Sequence, residues 1–240
     1  VSFSKTIGRV EKNRVIEVLM HHENFVHLHL HTHYSLLDGA CFIPQLMELA
    51  HTYKMPAIAM TDHGNLFGAI EFYDEAMKRG VKPIIGCEMY VAPSDRRERV
   101  MHPLHGASSH LILLAKDETG YRNLMKLVSA GYLEGFYYKP RIDKELLRQH
   151  IQGLVGLSSC LKGEISRSLT AGQREKAKEA AVFFKELFPP GDFYLELQYH
   201  PNIPEQNIAN MGLIELSKKL SIPLVATSDS HYLKKEDAKA

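Results

Sequence analysis

The sequence predicts a single α/β domain folded as a closed or nearly closed barrel of seven strands, and three observations predict it. Short apolar runs alternate with amphipathic helical patterns from residue 25 onward, and no linker-like stretch divides them. No glycine-rich phosphate turn follows the first strand, which turns the reading away from a dinucleotide-binding sheet. Side chains able to bind metal recur at nearly every strand end, where the βα loops of a barrel carry its chemistry. Composition agrees: 240 residues, 45% hydrophobic and 24% charged, suffice for one large core or two small ones. A net charge of +1 gives no global electrostatic case for nucleic acid or membrane, though it leaves room for a local basic face. Cys41, Cys87 and Cys160 are odd in number and too far apart for a zinc knuckle, which favours a reducing compartment such as the cytoplasm over a disulfide framework. No apolar run approaches the roughly 20 residues that span a bilayer, so no membrane partner is expected.

Residues 1–24 read as an N-terminal extension and residues 25–240 as the domain proper. Met20 is the expected natural start, and Glu11 and Glu17 argue against a mitochondrial transit peptide. The first strand lies in FVHLHLHTHYSLLDGA, where His27, His29, His31 and His33 alternate with Val26, Leu28, Leu30 and Thr32. Period-two alternation brings the imidazoles out on one face, and imidazole is the commonest side-chain metal ligand. A helix is expected over residues 43–53, then a strand over 57–60 ending in TDHG. The cycle repeats with a helix over 66–78 and a strand over 83–88 ending at Glu88. A polar, charged insertion occupies 93–109. A strand over 111–115 and a helix over 119–130 follow, and then a loop over 131–143 rich in Tyr132, Phe136, Tyr137, Tyr138, Lys139 and Arg141. The fifth strand spans 154–157 and ends at Cys160. A short helix, a helix over 173–187, a strand over 193–197, a helix over 205–220 and a seventh strand over 224–226 complete the pattern.

The strand ends thus carry His29 and His31, Asp62 and His63, Glu88, Cys160, Gln198 and His200, and Asp229 and His231. Taken singly, each has a plain structural role open to it: a turn residue at His63, a small core thiol at Cys160, a helix cap at Asp229. Their recurrence is what points to metal. Imidazole, carboxylate and thiolate together suit zinc, and also manganese or iron. The set exceeds what one ion takes, so roughly two or three divalent ions are expected, with Glu88 as a bridge. Such sites hydrolyse phosphate esters, and metal-dependent amide hydrolysis is the chemical runner-up.

These residues resemble the successive motifs of the polymerase and histidinol phosphatase (PHP) superfamily. HLHT, TDHG, Glu88 and SDSH stand in that order. TDHGNLFGAIEFY, KPIIGCEMYVA, HLILLAKDETGYRNLMKLVS, LEGFYYKPRID and GLVGLSSCLKGEI more narrowly resemble the N-terminal domain of the C-family bacterial replicative polymerases, the DNA polymerase III alpha subunits. The resemblance implies a distorted seven-stranded (β/α) barrel, the PHP fold, holding metals at one end. The implied ligands are His29, His31, Asp38, His63, Glu88, His110, Cys160, Asp229 and His231, although His110 opens its strand where barrel logic favours an end. Magnesium joins the ions that such a family implies. The implied activity is 3′–5′ exonuclease proofreading on DNA by metal-activated water, with His29, His31, His63, Glu88, Asp229 and His231 at its catalytic centre. Tyr137, Tyr138, Lys139 and Arg141 are candidates to hold a single strand by stacking and phosphate contacts, or else to pack against the polymerase body. The implied partners are the remainder of the alpha subunit, a proofreading exonuclease subunit and other replisome proteins. Polymerisation itself needs paired palm carboxylates, and the chain has no Asp-x-Asp pair, so the expectation is an N-terminal piece of a larger nucleotidyltransferase. A metal-stabilised structural module and a free-standing phosphatase are the competing readings.

Overall fold

A computed structural model describes residues 25–239; the expected extension over residues 1–24 lies outside them. Strands and helices follow the predicted alternation: α1 (Ile43–Thr52), β1 (Ala57–Met60), α2 (Ala69–Lys78), β2 (Lys82–Val91), β3 (Ser109–Ala115), α3 (Glu118–Leu133), β4 (Arg141–Ile142), α4 (Lys144–Gln149), β5 (Leu154–Leu157), α5 (Glu164–Thr170), α6 (Arg174–Leu187), β6 (Phe193–Gln198), α7 (Pro204–Leu220) and β7 (Leu224–Thr227). Among the described residues the strands form one seven-stranded sheet in the order β1-β2-β3-β5-β6-β7, with β4 alongside β2.

Period-two alternation sorts each strand between two environments. On β2 and β3, Cys87, Met89, Val91, Leu111 and Leu113 point outward into the largest core, against Leu124 and Leu127 of α3, Ala181 and Phe184 of α6 and Leu213 of α7. A second core packs Ile58 and Met60 of β1 against Ile43 and Met47 of α1 and Phe72 of α2. The intervening positions, Ala59, Ile84, Ile112, Leu114, Leu157, Tyr194 and Val225, meet in a third cluster drawn from six strands, which requires the sheet to curl round on itself. That cluster is the barrel interior. Continuing along the same parity, Ile84 leads to Glu88 and Tyr90, and Tyr194 leads to Glu196 and Gln198. The lumen therefore grades from aliphatic at one end to ionisable at the other.

Two expectations are corrected. The alternating histidine run does not form a regular ladder strand. It lies extended in the gap between β1 and the chain beyond β7, with Ala59 N–H donating to His27 O (2.8 Å), Thr61 N–H to Leu30 O (2.8 Å) and His31 N–H to Ser230 O (2.8 Å), and so closes the barrel. Its ladder is broken because side chains take the bonding positions: Leu30 N–H donates to Thr61 Oγ1 (2.9 Å) and Thr32 N–H to Asp62 Oδ1 (2.7 Å). The sheet's seventh member is instead Arg141–Ile142, expected as loop, which pairs in parallel with Tyr90 and Val91.

The second correction concerns direction. β3 is antiparallel to both β2 and β5, while β1/β2, β5/β6 and β6/β7 are parallel. An antiparallel strand begins where its neighbours end, so His110, paired across from Tyr90, stands at the same barrel mouth as Glu88.

Candidate metal centre

The ligand candidates are delivered to that mouth by several separate stretches of chain. His29 and His31 come from the closing segment, both fully buried, while Leu30 between them faces the second core. Asp62, itself buried, accepts from Thr32 N–H, Thr32 Oγ1 and Ser35 Oγ; it ties down the turn after His31 and leaves ligation to others. His63 follows β1 and pairs with Glu88 of β2 through a parallel bridge. Cys160 follows β5, and Asp229 and His231 follow β7. Asp229 takes a left-handed backbone (φ 49°), which turns its carboxylate back toward the lumen.

The geometry is tight. Asp229 Oδ1 lies 3.0 Å from His29 Nε2 and 3.2 Å from His31 Nε2, and the two Nε2 atoms are 3.2 Å apart. Ligands on one tetrahedral zinc at about 2.0–2.1 Å stand about 3.3 Å from each other, so this triangle has ion-sharing dimensions. Among the described residues, potential ligand atoms gather in three overlapping groups: His31, His63 and His231; His29, His31 and Glu88; Glu88, His110 and Cys160. His31 joins the first two groups and Glu88 the last two. Glu88 is 1% exposed and splits its oxygens, Oε1 toward His110 Nδ1 (2.7 Å) and Ser159 Oγ (3.0 Å), Oε2 toward His63 Nδ1 (2.6 Å).

These donors fit divalent ions on a second ground. Glu88 Oε2, Asp229 Oδ1 and His63 Nδ1 are buried without a hydrogen bond of proper geometry, although opposite groups lie within reach. Buried polar atoms left this way are costly unless something else binds them. The far nitrogens are already committed: His29 Nδ1 to Glu196 Oε1 (2.7 Å), His31 Nδ1 to Ser35 Oγ (3.0 Å), and His231 Nδ1 to the Asp229 carbonyl (2.8 Å). Such partners fix the tautomer and aim the ligating nitrogen inward.

Charge is distributed accordingly. Burial opposes a proton on His29, yet the carboxylates of Glu196 and Asp229 outweigh it and hold its pKa well above the ordinary imidazole value. Burial drives His31 down to about 4. Burial likewise works against the anions at Glu88 and Asp229, but the surrounding imidazoles prevail and hold both carboxyls well below their usual range. Burial pushes the Cys160 thiol up to about 12. Without metal the site is an imidazolium–carboxylate mesh, and an entering divalent ion displaces protons from it.

Of the expected ligands, Asp38 stands apart. It is 48% exposed on its side chain and reaches the rim imidazoles, His63 Nε2 at 3.3 Å and His231 Nε2 at 3.9 Å, without entering any of the three groups. His200 is not brought to the cluster. His27 and His33 flank the segment, His33 stacked on Phe42. Arg141 corrects its expectation most sharply. It is 1% exposed, and its guanidinium donates to the carbonyls of Gly135 (3.0 Å), Ala107 (3.1 Å), Arg96 (2.8 Å) and Glu98 (2.7 Å), which leaves it pinning loops rather than touching phosphate. Tyr137 packs over it, 5.0 Å away, whereas Tyr138 and Lys139 are exposed. The residue that sequence reasoning missed is Glu196. Its side chain is fully buried and accepts from His29, Gln198 Nε2 (2.8 Å) and the Thr227 hydroxyl. A carboxylate at lumen parity inside an apolar strand was the signal for it.

A curled mixed sheet with imidazoles and carboxylates gathered at one mouth defines a metal-site barrel, and the PHP domain model matches residues 27–200: the chain belongs to the PHP domain family. More particularly, it is 51% identical over 216 residues to the DNA polymerase III subunit alpha of Borreliella burgdorferi, covering 90% of this chain and 19% of that protein. It is 50% identical over 220 residues to the same subunit of Thermus aquaticus, covering 90% of this chain and 18% of the relative. The chain therefore spans about one fifth of the length of these curated relatives and matches their PHP domain. Among solved structures, a Bifidobacterium adolescentis protein assigned as a metal-dependent phosphoesterase shares the fold, with a TM-score of 0.51 at 16% identity over 86% of this chain and 87% of that one. A two-domain Bacteroides vulgatus protein with a predicted PHP-like phosphoesterase part gives a TM-score of 0.50 at 16% identity, covering 86% of this chain and 52% of the other. No helix among the described residues is long and apolar enough to cross a membrane.

Proposed function

We propose that the chain is a metal-dependent phosphoesterase that acts as a 3′–5′ exonuclease on DNA, in proofreading. The observation behind this reading is the set of buried, unbonded oxygens on Glu88 and Asp229 facing imidazole nitrogens at ion-sharing separations beside an open cleft. His29, His31, Glu88 and Asp229 would hold an inner ion, with His63 and His231 on one flank and His110 and Cys160 on the other, for roughly two or three ions in all. Zinc, manganese and iron suit so many imidazoles better than magnesium does. Such ions supply hydroxide at neutral pH and draw charge from phosphoryl oxygens. The chain's own groups do the rest. Glu196 and Ser35 orient the inner imidazoles, and Asp38 Oδ2 stands at the rim beside His63 and His231.

We further propose that this activity serves a longer cytoplasmic replicative polymerase, a DNA-directed nucleotidyltransferase. The polymerase body, a proofreading subunit and other replisome proteins would be its neighbours, and primer-template DNA its substrate. The likeness to the polymerase relatives supports this. A structural role competes for the innermost ion, because His29, His31 and Glu88 are at most 1% exposed.

Purified chain is assayed for metal content and for hydrolysis of a 3′-mismatched primer and of bis(p-nitrophenyl) phosphate with manganese or zinc. Metal-loaded protein should cleave both, and His31→Ala and Asp229→Asn should lose metal and cleavage together. Loaded wild-type protein that leaves every substrate intact across these ions would decide for the structural role.

A further inference from the structure

The metal mouth opens into a cavity of about 290 Å³, lined on its inner side by Asp38, His63 and His110. Its outer wall is aromatic and cationic. Phe67 follows β1, Tyr132 closes α3, Phe136 lies in the loop beyond, and all three rings line the space. They are exposed by 60%, 39% and 52%, too open for a packed core. Phe67 and Tyr132 have centroids 6.3 Å apart, and so have Tyr132 and Phe136, with tilts of 41° and 30°. Tyr132 thus links the other two rings, and the three share one cavity with the ligands.

Two ammonium groups flank the rings, and neither is spent on a carboxylate. Lys139 Nζ lies over the Tyr90 ring, 5.6 Å from its centroid, and the exposed Lys162 has no ion-pair partner among the described residues. Both are set by the site itself. The Lys162 carbonyl accepts from His110 N–H (3.0 Å). Lys139 precedes Pro140, which fills the space beside Gly64; at that position φ is +62° and a Cβ would come within 2.7 Å of the proline ring. The residue after His63 must therefore be glycine for this lysine to sit where it does.

We propose that this cavity is a single-stranded DNA subsite, in which Phe67, Tyr132 and Phe136 stack bases while Lys139 and Lys162 contact the phosphates that lead into the metal mouth. The inference rests on the phosphoesterase reading for the class of substrate. Every base offers a ring face, so an aromatic wall with flanking cations binds single strands with little regard to sequence. A protein covering the same rings would have to bury two unpaired ammonium groups, which is costly, whereas a phosphate backbone neutralises them. Tyr137, packed on Arg141, and Tyr138 lie outside the cavity lining.

The test is fluorescence anisotropy with a short labelled oligothymidylate, run beside turnover of bis(p-nitrophenyl) phosphate. Phe67→Ala and Phe136→Ala should each weaken oligonucleotide binding about fivefold or more, the low end for one lost base–aromatic stack. Both should leave the metal content unchanged, since neither ring offers a ligand atom. Lys139→Ala and Lys162→Ala should each make the log–log salt dependence of binding shallower by about 0.7. An oligonucleotide that does not bind, or that binds all four variants as it binds wild type, overturns the subsite even if the small diester is cleaved. Failure to cleave the diester counts against the phosphoesterase reading alone, because binding is read without turnover. The substituted rings are solvent-exposed, so an unchanged unfolding midpoint is expected and checks the fold.

Discussion

Replacing Glu196 by glutamine tests how much of the metal centre is built from behind the ligands. The carboxylate is sealed from solvent and receives three donors, His29 Nδ1 at 2.7 Å, Gln198 Nε2 at 2.8 Å and the Thr227 hydroxyl. All three bonds fall on Oε1 while Oε2 is buried without a partner, so glutamine keeps the volume and the accepting oxygen and removes the negative charge. The His29 Nδ1–H loses its anionic partner, and Nε2 becomes a weaker and less firmly aimed ligand. A carboxylate behind a metal-bound imidazole is worth about 10–100-fold in affinity, or about 1.4–2.7 kcal/mol at 25 °C. Glu196→Ala would confound this, since the stranded imidazole N–H adds about 1–3 kcal/mol of folding cost. Competition against a chromogenic chelator measures affinity, and urea unfolding of the metal-free protein controls for stability. Affinity within about twofold of wild type, in a variant of unchanged stability, would refute the assigned role of Glu196.

Three further outcomes follow from geometry. Chelation should lower the melting temperature, and metal at about 100 times its Kd should restore about 2.7 kcal/mol; a midpoint indifferent to chelator would contradict binding by the folded state. Arg141→Met should cost about 3 kcal/mol or more in urea unfolding, because four carbonyls lose a buried cationic donor; a near-neutral result would mean that water replaces it freely. Asp143 caps α4 at Leu146 N–H (2.8 Å) and pairs with Arg96 Nη1 (2.9 Å). Burial opposes its charge, but hydrogen bonds from Arg96 and Leu146 prevail and depress its pKa. A depressed carboxyl stabilises the fold above its unfolded pKa of about 3.9 and stops doing so as pH falls through the lower folded value. The stability gap between wild type and Asp143→Asn, about 1–3 kcal/mol at neutrality, should therefore close on acidification below about pH 4, as urea midpoints at several pH values will show.

Much of the mouth was legible because two periodicities are local. Alternation alone put His29 and His31 on one face, and apolar runs ending in His63, Glu88, Cys160 and Asp229 marked the strand ends. Strand direction is not local. Nothing within SHLILLA says that it runs against β2, and only the antiparallel pairing puts His110 at the mouth. Arg141 misled for a related reason, since a guanidinium in a loop is ordinarily solvated and its four acceptors come from stretches that only folding assembles. Glu196 carries no strand-end signal because it sits mid-strand in β6, although Tyr194, Glu196 and Gln198 share one parity.

The reversed strand also determines where this barrel can change. The parallel neighbours of the sheet are joined by connections that must travel the outside of the barrel, so their lengths are constrained by its height. Between β2 and β3 the chain leaves the mouth and re-enters at the same mouth. Arg141 fastens this excursion at Arg96, Glu98 and Ala107, and Arg167 fastens it at the carbonyls of His105 and Ser108. Glu88 and His110 stay in register through the pairing of Tyr90 with His110, whatever the excursion contains. Residues 92–108 thus behave as an awning hinged on two rivets, and a descendant could lengthen, shorten or recharge it to admit a different strand without disturbing the atoms beneath.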